Sequence, residues 1–222
     1  MMSIIAHDLR GTMGNLLTAI DVLHLWKGRT PLRLTEKSLL WNLRQSASYS
    51  LELLENLLHW SRLEENEAYF QPEPVQLDKL IRNCVNLFEE SARLKEVTIR
   101  EDMQTGIQCQ VDQVMMETIV RNLISNALKF SHPGGAIIIH GASSNGLIHL
   151  SVADQGIGIT EDQIRKITRN GGYTRKGTAN EKGAGIGLTL VREFAARHKG
   201  ELLIHSHPGQ GSTFEIQFPC SS

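Results

Sequence analysis

The chain has 222 residues, of which 41% are hydrophobic and 21% are charged, the composition of an ordinary globular protein. Its formal net charge of -1 gives no basic field for nucleic acid or an anionic membrane, so we expect no nucleic-acid partner and a local site for any anionic ligand. No apolar run approaches the ~18 residues that cross a bilayer, and the N-terminus lacks the order of a signal peptide. The chain has three widely spaced cysteines, Cys84, Cys109 and Cys220. Their number and spacing fit neither a disulfide framework nor a zinc site, so we expect a reducing cytoplasm.

The first 67 residues predict two long helices. Apolar residues recur every three or four positions over residues 4–26, and the pattern returns from Thr35 to about Glu65 after the segment "KGRTP". A lone hairpin of two such helices cannot bury both apolar stripes. We therefore expect a homodimer in which two all-α hairpins form a four-helix bundle.

A proline-containing segment, "ENEAYFQPEPV", marks the predicted domain boundary. It separates a helical domain (1–67) from a second domain (75–222) through a linker (68–74). The elements expected after it are, in chain order, a helix over 77–95, strands over 96–101 and 107–111, a helix over 112–131, a hairpin of 136–142 with 147–154, a helix over 188–198, and a hairpin of 200–206 with 211–218. This pattern predicts an α+β sandwich with helices on one face of a mixed sheet.

One stretch of the second domain places polar groups on a helix. In "NLISNALKF", Asn122, Asn126 and Lys129 recur at four and three residues and share one helical face. An amide oxygen suits a hard cation such as Mg²⁺, and a lysine suits a phosphate. Standing alone, the stretch would be read as a solvated polar face.

Three further stretches predict close backbone approach to a ligand. "ADQGIGIT" places Asp154 at the end of a strand, followed by two glycines, and a carboxylate there can accept a hydrogen bond from an adenine amino group. "EKGAGIGLTLV" sets glycines before a helix that starts near Leu188, an arrangement that cradles anions. "GQGSTF" places Thr213 beside the last strand, where its hydroxyl would support the adenine contact. Alone, "ADQGIGIT" is also compatible with a simple turn, and Thr213 by itself would count for little.

Together, and in this order, the four stretches resemble the N, G1 and G2 boxes and the terminal strand of the ATP-binding domain of sensor histidine kinases and related GHKL (Bergerat-type) ATPases. The resemblance covers about residues 75–219 and implies ATP and Mg²⁺ as ligands. It implies that Asn122 and Asn126 form the Mg²⁺ site, that Lys129 contacts phosphate and that Asp154 reads adenine. The other implied ATP-binding residues are Phe130, Gly156, Gly158, Lys182, Gly183, Gly185, Gly187, Leu188 and Thr213.

The polar segment from Gly171 to Lys182 is interpreted as a lid over the triphosphate. Its candidate phosphate contacts, among which the sequence does not choose, are Arg175, Lys176 and Lys182.

The stretch "SIIAHDLRG" supplies a possible phosphoryl acceptor. His7 lies about 200° around a helix from both Ile5 and Leu9, so it points away from the apolar stripe. A neutral imidazole can attack a γ-phosphate if Asp8 holds its other ring proton. "IIAHDLR" before a helical hairpin resembles the H box of the dimerisation and phosphotransfer domain, a resemblance that spans about residues 3–66.

The resemblance implies ATP-dependent autophosphorylation on His7 and transfer to an aspartate of a response-regulator receiver domain. The hydrolysing branch resembles "E-x-x-x-N" on the N-box helix, whereas this chain has Asn122 in place of the glutamate. Two departures concern the helix after His7, where Gly11 and Thr12 replace the usual Thr or Asn and the usual proline. We therefore expect weak dephosphorylation of the partner.

Two other functions stay open at this level: a GHKL ATPase, and a nucleotide-binding dimeric scaffold without kinase activity. Because His7 is close to the N-terminus, an upstream sensor domain is expected to be absent from this chain. The expected location is the cytoplasm, with the alternative of a parent protein anchored in a membrane by a missing N-terminal region. The sequence does not decide between transfer within a subunit and transfer across the dimer.

Overall fold

The computed structural model describes residues 70–170, 175–179, 181 and 185–220. The predicted helical hairpin, with His7 and Asp8, lies outside the described residues, as do Lys182 and Gly183. Among the described residues, no helix is both long and apolar enough to span a membrane.

Seven strands and five helices make up the described part of the chain. The strands are β1 (Glu73–Gln76), β2 (Thr98–Met103), β3 (Gln108–Val111), β4 (Ala136–Ser144), β5 (Leu147–Asp154), β6 (Glu201–His207) and β7 (Gly211–Pro219). The helices are α1 (Leu77–Asn86), α2 (Glu89–Leu94), α3 (Gln113–Phe130), α4 (Glu161–Asn170) and α5 (Gly187–Arg197).

The main sheet has five strands in the order β2-β4-β5-β7-β6. β2 runs parallel to β4, and every other neighbouring pair is antiparallel. β1 and β3 form a separate antiparallel pair. The predicted α+β architecture with a mixed sheet is therefore confirmed.

The sheet has one apolar face and one polar face because side chains alternate along each strand. On the apolar face, Val152 of β5 pairs with Phe214 of β7, and all such positions on β5 are buried. Helices α3 and α5 pack there with fully buried side chains such as Ile119 and Phe194. On the polar face, His149 contacts Glu215 with 2.9 Å between Nδ1 and Oε1.

The helix predicted over residues 77–95 is two helices. α1 closes in a tight turn in which the N–H of Leu87 donates to the Cys84 carbonyl (3.2 Å) and that of Phe88 to the Val85 carbonyl (2.8 Å). Leu87, counted as part of the helical pattern, is 66% exposed. Apolar periodicity alone does not show such a break.

Two elements were not predicted. β1 occupies residues placed in or next to the linker, and Pro74 is tolerated there because β1 is an edge strand of a two-stranded pair. α4 was missed because its sequence, "EDQIRKITRN", carries only two apolar side chains, Ile164 and Ile167.

The segment that precedes β1 is hydrogen-bonded to the N-terminal end of α3. Asp112 is the N-cap of α3: its Oδ1 accepts from the Met115 N–H (3.0 Å) and its Oδ2 from the Gln71 N–H (3.0 Å). The Asp112 N–H donates to Nε2 of buried His198 (3.1 Å), whose Nδ1 lies 2.7 Å from the Phe194 carbonyl. These bonds require a neutral imidazole with its proton on Nδ1, and burial lowers the pKa of His198 accordingly.

We predict that Asp112→Ala lowers the free energy of unfolding by about 1–2 kcal/mol, because it removes the helix cap and the acceptor of the Gln71 N–H. Urea unfolding of the full chain, followed by circular dichroism, measures the change. Asp102→Ala is the control, since the Asp102 side chain is 75% exposed where it pairs with His140. Equal losses in the two variants would contradict the importance of the cap.

Candidate functional site

The candidate site is built around Asp154, at the C-terminal end of β5. The residue is only 7% exposed, and its Oδ1 accepts a hydrogen bond from the Gly156 N–H at 2.8 Å. Burial raises the pKa of Asp154 to about 6, while the N–H groups of Gly156 and Ser212 act in the opposite direction. Near neutral pH, Asp154 is therefore a mostly ionised acceptor in a place where water is scarce.

The neighbour of Asp154 on β7 is Ser212 and not Thr213. The register pairs Asp154 with Ser212 and Ala153 with Thr213, so Thr213 points to the other face of the sheet. The Ser212 hydroxyl lies 2.9 Å from that of Ser206, which itself donates to the Gly211 carbonyl (2.7 Å). The prediction for the supporting hydroxyl was wrong by one residue. Strict alternation along β7, with Phe214 and Ile216 buried, is the signal that would have selected Ser212.

The loop after Asp154 requires glycine at two positions. Gly158 has φ +64°, and a Cβ there would lie 2.0 Å from the His207 carbonyl oxygen. A Cβ on Gly156 would lie 2.1 Å from the Phe130 carbonyl oxygen. The loop is therefore pressed against the end of α3 on one side and against the β6–β7 turn on the other.

The C-terminal end of α3 is the meeting point of three segments. Nζ of Lys95 donates to the Leu128 and Lys129 carbonyls, both at 2.8 Å. The Ile157 N–H points at the Phe130 carbonyl (3.3 Å), and Ser131 pairs with Gly156 in an isolated β-bridge. Thr178 supplies the third contact, through its N–H to the Lys129 carbonyl (3.1 Å) and its hydroxyl. Neither Lys95 nor Thr178 was singled out from the sequence, since a contact to a helix carbonyl has no residue pattern of its own.

The predicted polar face of α3 is present, and its residues have different surroundings. Asn122 donates from Nδ2 to the Thr118 carbonyl of its own helix (2.8 Å), and its Oδ1 faces Gly187 at the start of α5. Asn126, one turn further on, makes no side-chain hydrogen bond to the described residues. Nζ of Lys129 lies 5.0 Å from the ring centroid of Phe130.

This donor set fits Mg²⁺ only together with ligand oxygens. Within the described ranges, no cluster of three or more His, Cys, Asp or Glu side chains is placed to hold a metal. Mg²⁺ is commonly held by one or two protein oxygens with water and substrate phosphates. The half-buried amide oxygens of Asn122 and Asn126 match that mode of binding.

The glycine-rich loop before α5 is described from Gly185 onward. Gly185 has φ +70°, and Gly187 and half-buried Leu188 open the helix. The N-cap residue, Ile186, makes no side-chain capping bond, so the first N–H groups of α5 lack that partner. Such N–H groups suit an anionic ligand.

The predicted lid is represented by residues 175–179 and 181. Nη1 of Arg175 lies 3.3 Å from the Gly158 carbonyl, which ties this candidate phosphate contact to the loop after Asp154. Lys176 is exposed. The choice among the basic residues therefore stays a prediction.

Comparison with known proteins places the chain in a family. Residues 111–222, half of the chain, match the family of histidine kinase-, DNA gyrase B-, and HSP90-like ATPases. The chain belongs to this family. The match confirms the resemblance to the ATP-binding core of sensor histidine kinases that was found in the sequence.

Curated relatives and a solved structure extend the similarity. The circadian input-output histidine kinase CikA of Synechococcus elongatus is 29% identical over 220 residues, 96% of this chain and 29% of the relative. The sensor-like histidine kinase SenX3 of Mycolicibacterium smegmatis is 31% identical over 171 residues, 76% of this chain and 44% of the relative. The chain thus spans less than half of each. The structure of histidine kinase ThkA in complex with response regulator protein TrrA is 20% identical, with a TM-score of 0.70 and coverage of 100% of this chain and 61% of that one.

We predict that Asp154→Asn stabilises the fold. Above pH 6 the buried carboxylate is charged in both the folded and the unfolded state, and burial costs the folded state at most about 3 kcal/mol, the equivalent of a two-unit shift. The cost is relieved as the pH falls from about 6 toward 4, because the folded state takes up the proton first.

The free energy of unfolding of Asp154→Asn is therefore expected to exceed that of the parent by about 1–3 kcal/mol at pH 8, and by less at pH 5. Urea unfolding of both proteins at pH 8 and at pH 5 measures the difference in the free energy of unfolding. Exposed Asp162→Asn serves as the control. A variant less stable than the parent at pH 8 would contradict the assigned cost of burial.

Proposed function

We propose that the chain transfers the γ-phosphoryl group of ATP to His7 and then to an aspartate on a response-regulator receiver domain. The observation that carries the proposal is the buried, mostly ionised carboxylate of Asp154. Its Oδ1 accepts from the Gly156 N–H, in a loop that pairs with Ser131 at the end of α3, the helix that bears Asn126 and Lys129. A site for ATP needs one part that recognises the base and another that binds the phosphates, and this arrangement provides both.

The nucleotide contacts follow from this arrangement. Ionised Asp154 accepts a hydrogen bond from the adenine amino group, with Ser212 beside it. Phe130 lies against the nucleoside, and Lys129, together with the N–H groups around Gly185 and Gly187, contacts the phosphates. Asn122 and Asn126 hold Mg²⁺, which when bound neutralises charge on the phosphate oxygens.

α3 lacks a general base that could make water the acceptor of the phosphoryl group. The position four residues before Asn126 carries an amide, Asn122, which donates to the Thr118 carbonyl. An amide cannot act as the general base that activates water, so phosphoryl transfer to a side chain is favoured over hydrolysis.

The chemistry at His7 is a displacement followed by a second transfer. The lone pair of one imidazole nitrogen forms the N–P bond while the bond from the γ-phosphorus to the β–γ bridging oxygen breaks, and ADP leaves. Asp8 holds the proton on the other ring nitrogen. The receiver carboxylate then forms an O–P bond as the N–P bond breaks, which returns His7 to its starting form.

The proposed assembly follows the predicted domains. Residues 1–67 form the helical hairpin and dimerise as a four-helix bundle, residues 68–74 link it to the catalytic domain, and residues 75–222 bind ATP. The solved complex of ThkA with a response regulator supports a receiver domain as partner. We place the reaction in the cytoplasm, where ATP is available.

Incubation with Mg-ATP followed by intact-mass analysis tests the proposal. We expect one acid-labile phosphoryl group on the parent and on His24→Gln, a matched control in the same predicted hairpin, and none on His7→Gln. Asp154→Asn is expected to lose nucleotide affinity by more than tenfold.

Two other results would overturn the proposal in distinguishable ways. Multiple-turnover phosphate release without an adduct would establish an ATPase. Nucleotide binding with neither an adduct nor phosphate release would establish a silent scaffold.

We further propose that the chain removes phosphate from its partner only weakly. Gly11 stands where family members usually have a Thr or Asn that orients water for this step. Adding the chain with ADP to a phosphorylated cognate receiver should leave the phosphate half-life within about twofold, and Gly11→Thr should shorten it. Rapid loss caused by the parent chain would contradict this proposal.

A further inference from the structure

Thr178 makes a two-point contact with the end of α3 that none of the four sequence motifs includes. Its N–H donates to the Lys129 carbonyl at 3.1 Å. Its hydroxyl lies 2.7 Å from the Ser131 carbonyl and 3.2 Å from that of Lys129. A hydroxyl has one proton, so the shorter contact takes it, and the two donors of Thr178 serve the carbonyls of Lys129 and Ser131.

A second contact attaches the following part of the chain to the same helix. At the start of α5, Gly187 lies so close to Asn122 that a Cβ on Gly187 would be 2.3 Å from Oδ1. Residues 122 and 129 are seven positions apart, about 10 Å along the helix axis. Thr178 and Gly187 therefore contact α3 on either side of Asn126.

We infer that Thr178 is a positioning residue for the phosphate-binding half of the site. It fixes the backbone at residue 178, nine positions before Gly187, against the helix end that bears Lys129. The inference rests on the proposed function, because it assigns the phosphates to this end of the site. Thr178 makes no bond to Asp154, whose carboxylate accepts from the N–H groups of Gly156 and Ser212.

A purely structural role would be to cap the helix. Lys95 already serves that role at the same helix end, where its Nζ donates to the Leu128 and Lys129 carbonyls, both at 2.8 Å. Loss of the Thr178 hydroxyl leaves both of these bonds in place. Lys95→Met is thus the matched control: it weakens the same helix end without loosening the segment that contains Thr178.

The test compares ligands with and without phosphates on the full chain. Titration calorimetry with Mg-ATP and an NMR titration with adenosine give the two affinities. For Thr178→Val, which keeps the shape and removes the hydroxyl, we expect Mg-ATP affinity to fall at least fivefold and adenosine affinity to stay within twofold. Thr178→Ser should restore Mg-ATP affinity. Lys95→Met should change both affinities by the same factor while lowering the melting temperature.

Equal losses for both ligands in Thr178→Val, or no loss for either, would overturn the inference. Thr178→Ala provides the same comparison if the valine variant does not fold. A parent chain that fails to bind Mg-ATP would overturn the proposed function and this inference together. Normal binding and phosphorylation in both the parent and Thr178→Val would overturn the inference alone.

Discussion

The last carbonyl groups of an α-helix have no partner within the helix, and at the end of α3 this general constraint organises the site. Lys95 satisfies two of these carbonyls, the loop after Asp154 lies against the next, and Thr178 satisfies the last. The donors come from parts of the chain that are far apart in sequence. A single helix terminus thereby sets the relative positions of Thr178 and the loop after Asp154, which we propose reads the base.

The buried carboxylate shows what the fold gives up for this site. A protein selected for stability alone would place a neutral side chain at Asp154, because desolvation disfavours the charge there. Two backbone N–H groups reduce the cost without removing it. The charge is retained at the end of β5, where we propose that adenine binds, as expected when stability is exchanged for binding.

Much of the fold was predictable because it depends on local periodicity. The alternation in β4, β5 and β7 and the long apolar stripe of α3 identify these elements directly. The two elements that were not predicted were missed for physical reasons. β1 is held by its partner β3 despite Pro74, and α4 buries too little to leave a pattern. In the site, motif spacing located Asp154 and the glycines, whereas Ser212 required the strand register and Thr178 required the three-dimensional path of the chain.

The two ends of α3 hold different parts of the molecule in one rigid frame. At 18 residues the helix is about 27 Å long, and its buried face, from Met116 to Ala127, packs into the core. Its first turn, through Asp112, holds the N–H of Gln71, in the segment that follows the predicted hairpin. Its last turn holds the loop after Asp154 and Thr178. Because a close-packed helix cannot shift one end independently of the other, Gln71 and the proposed phosphate site have a common reference, α3 itself.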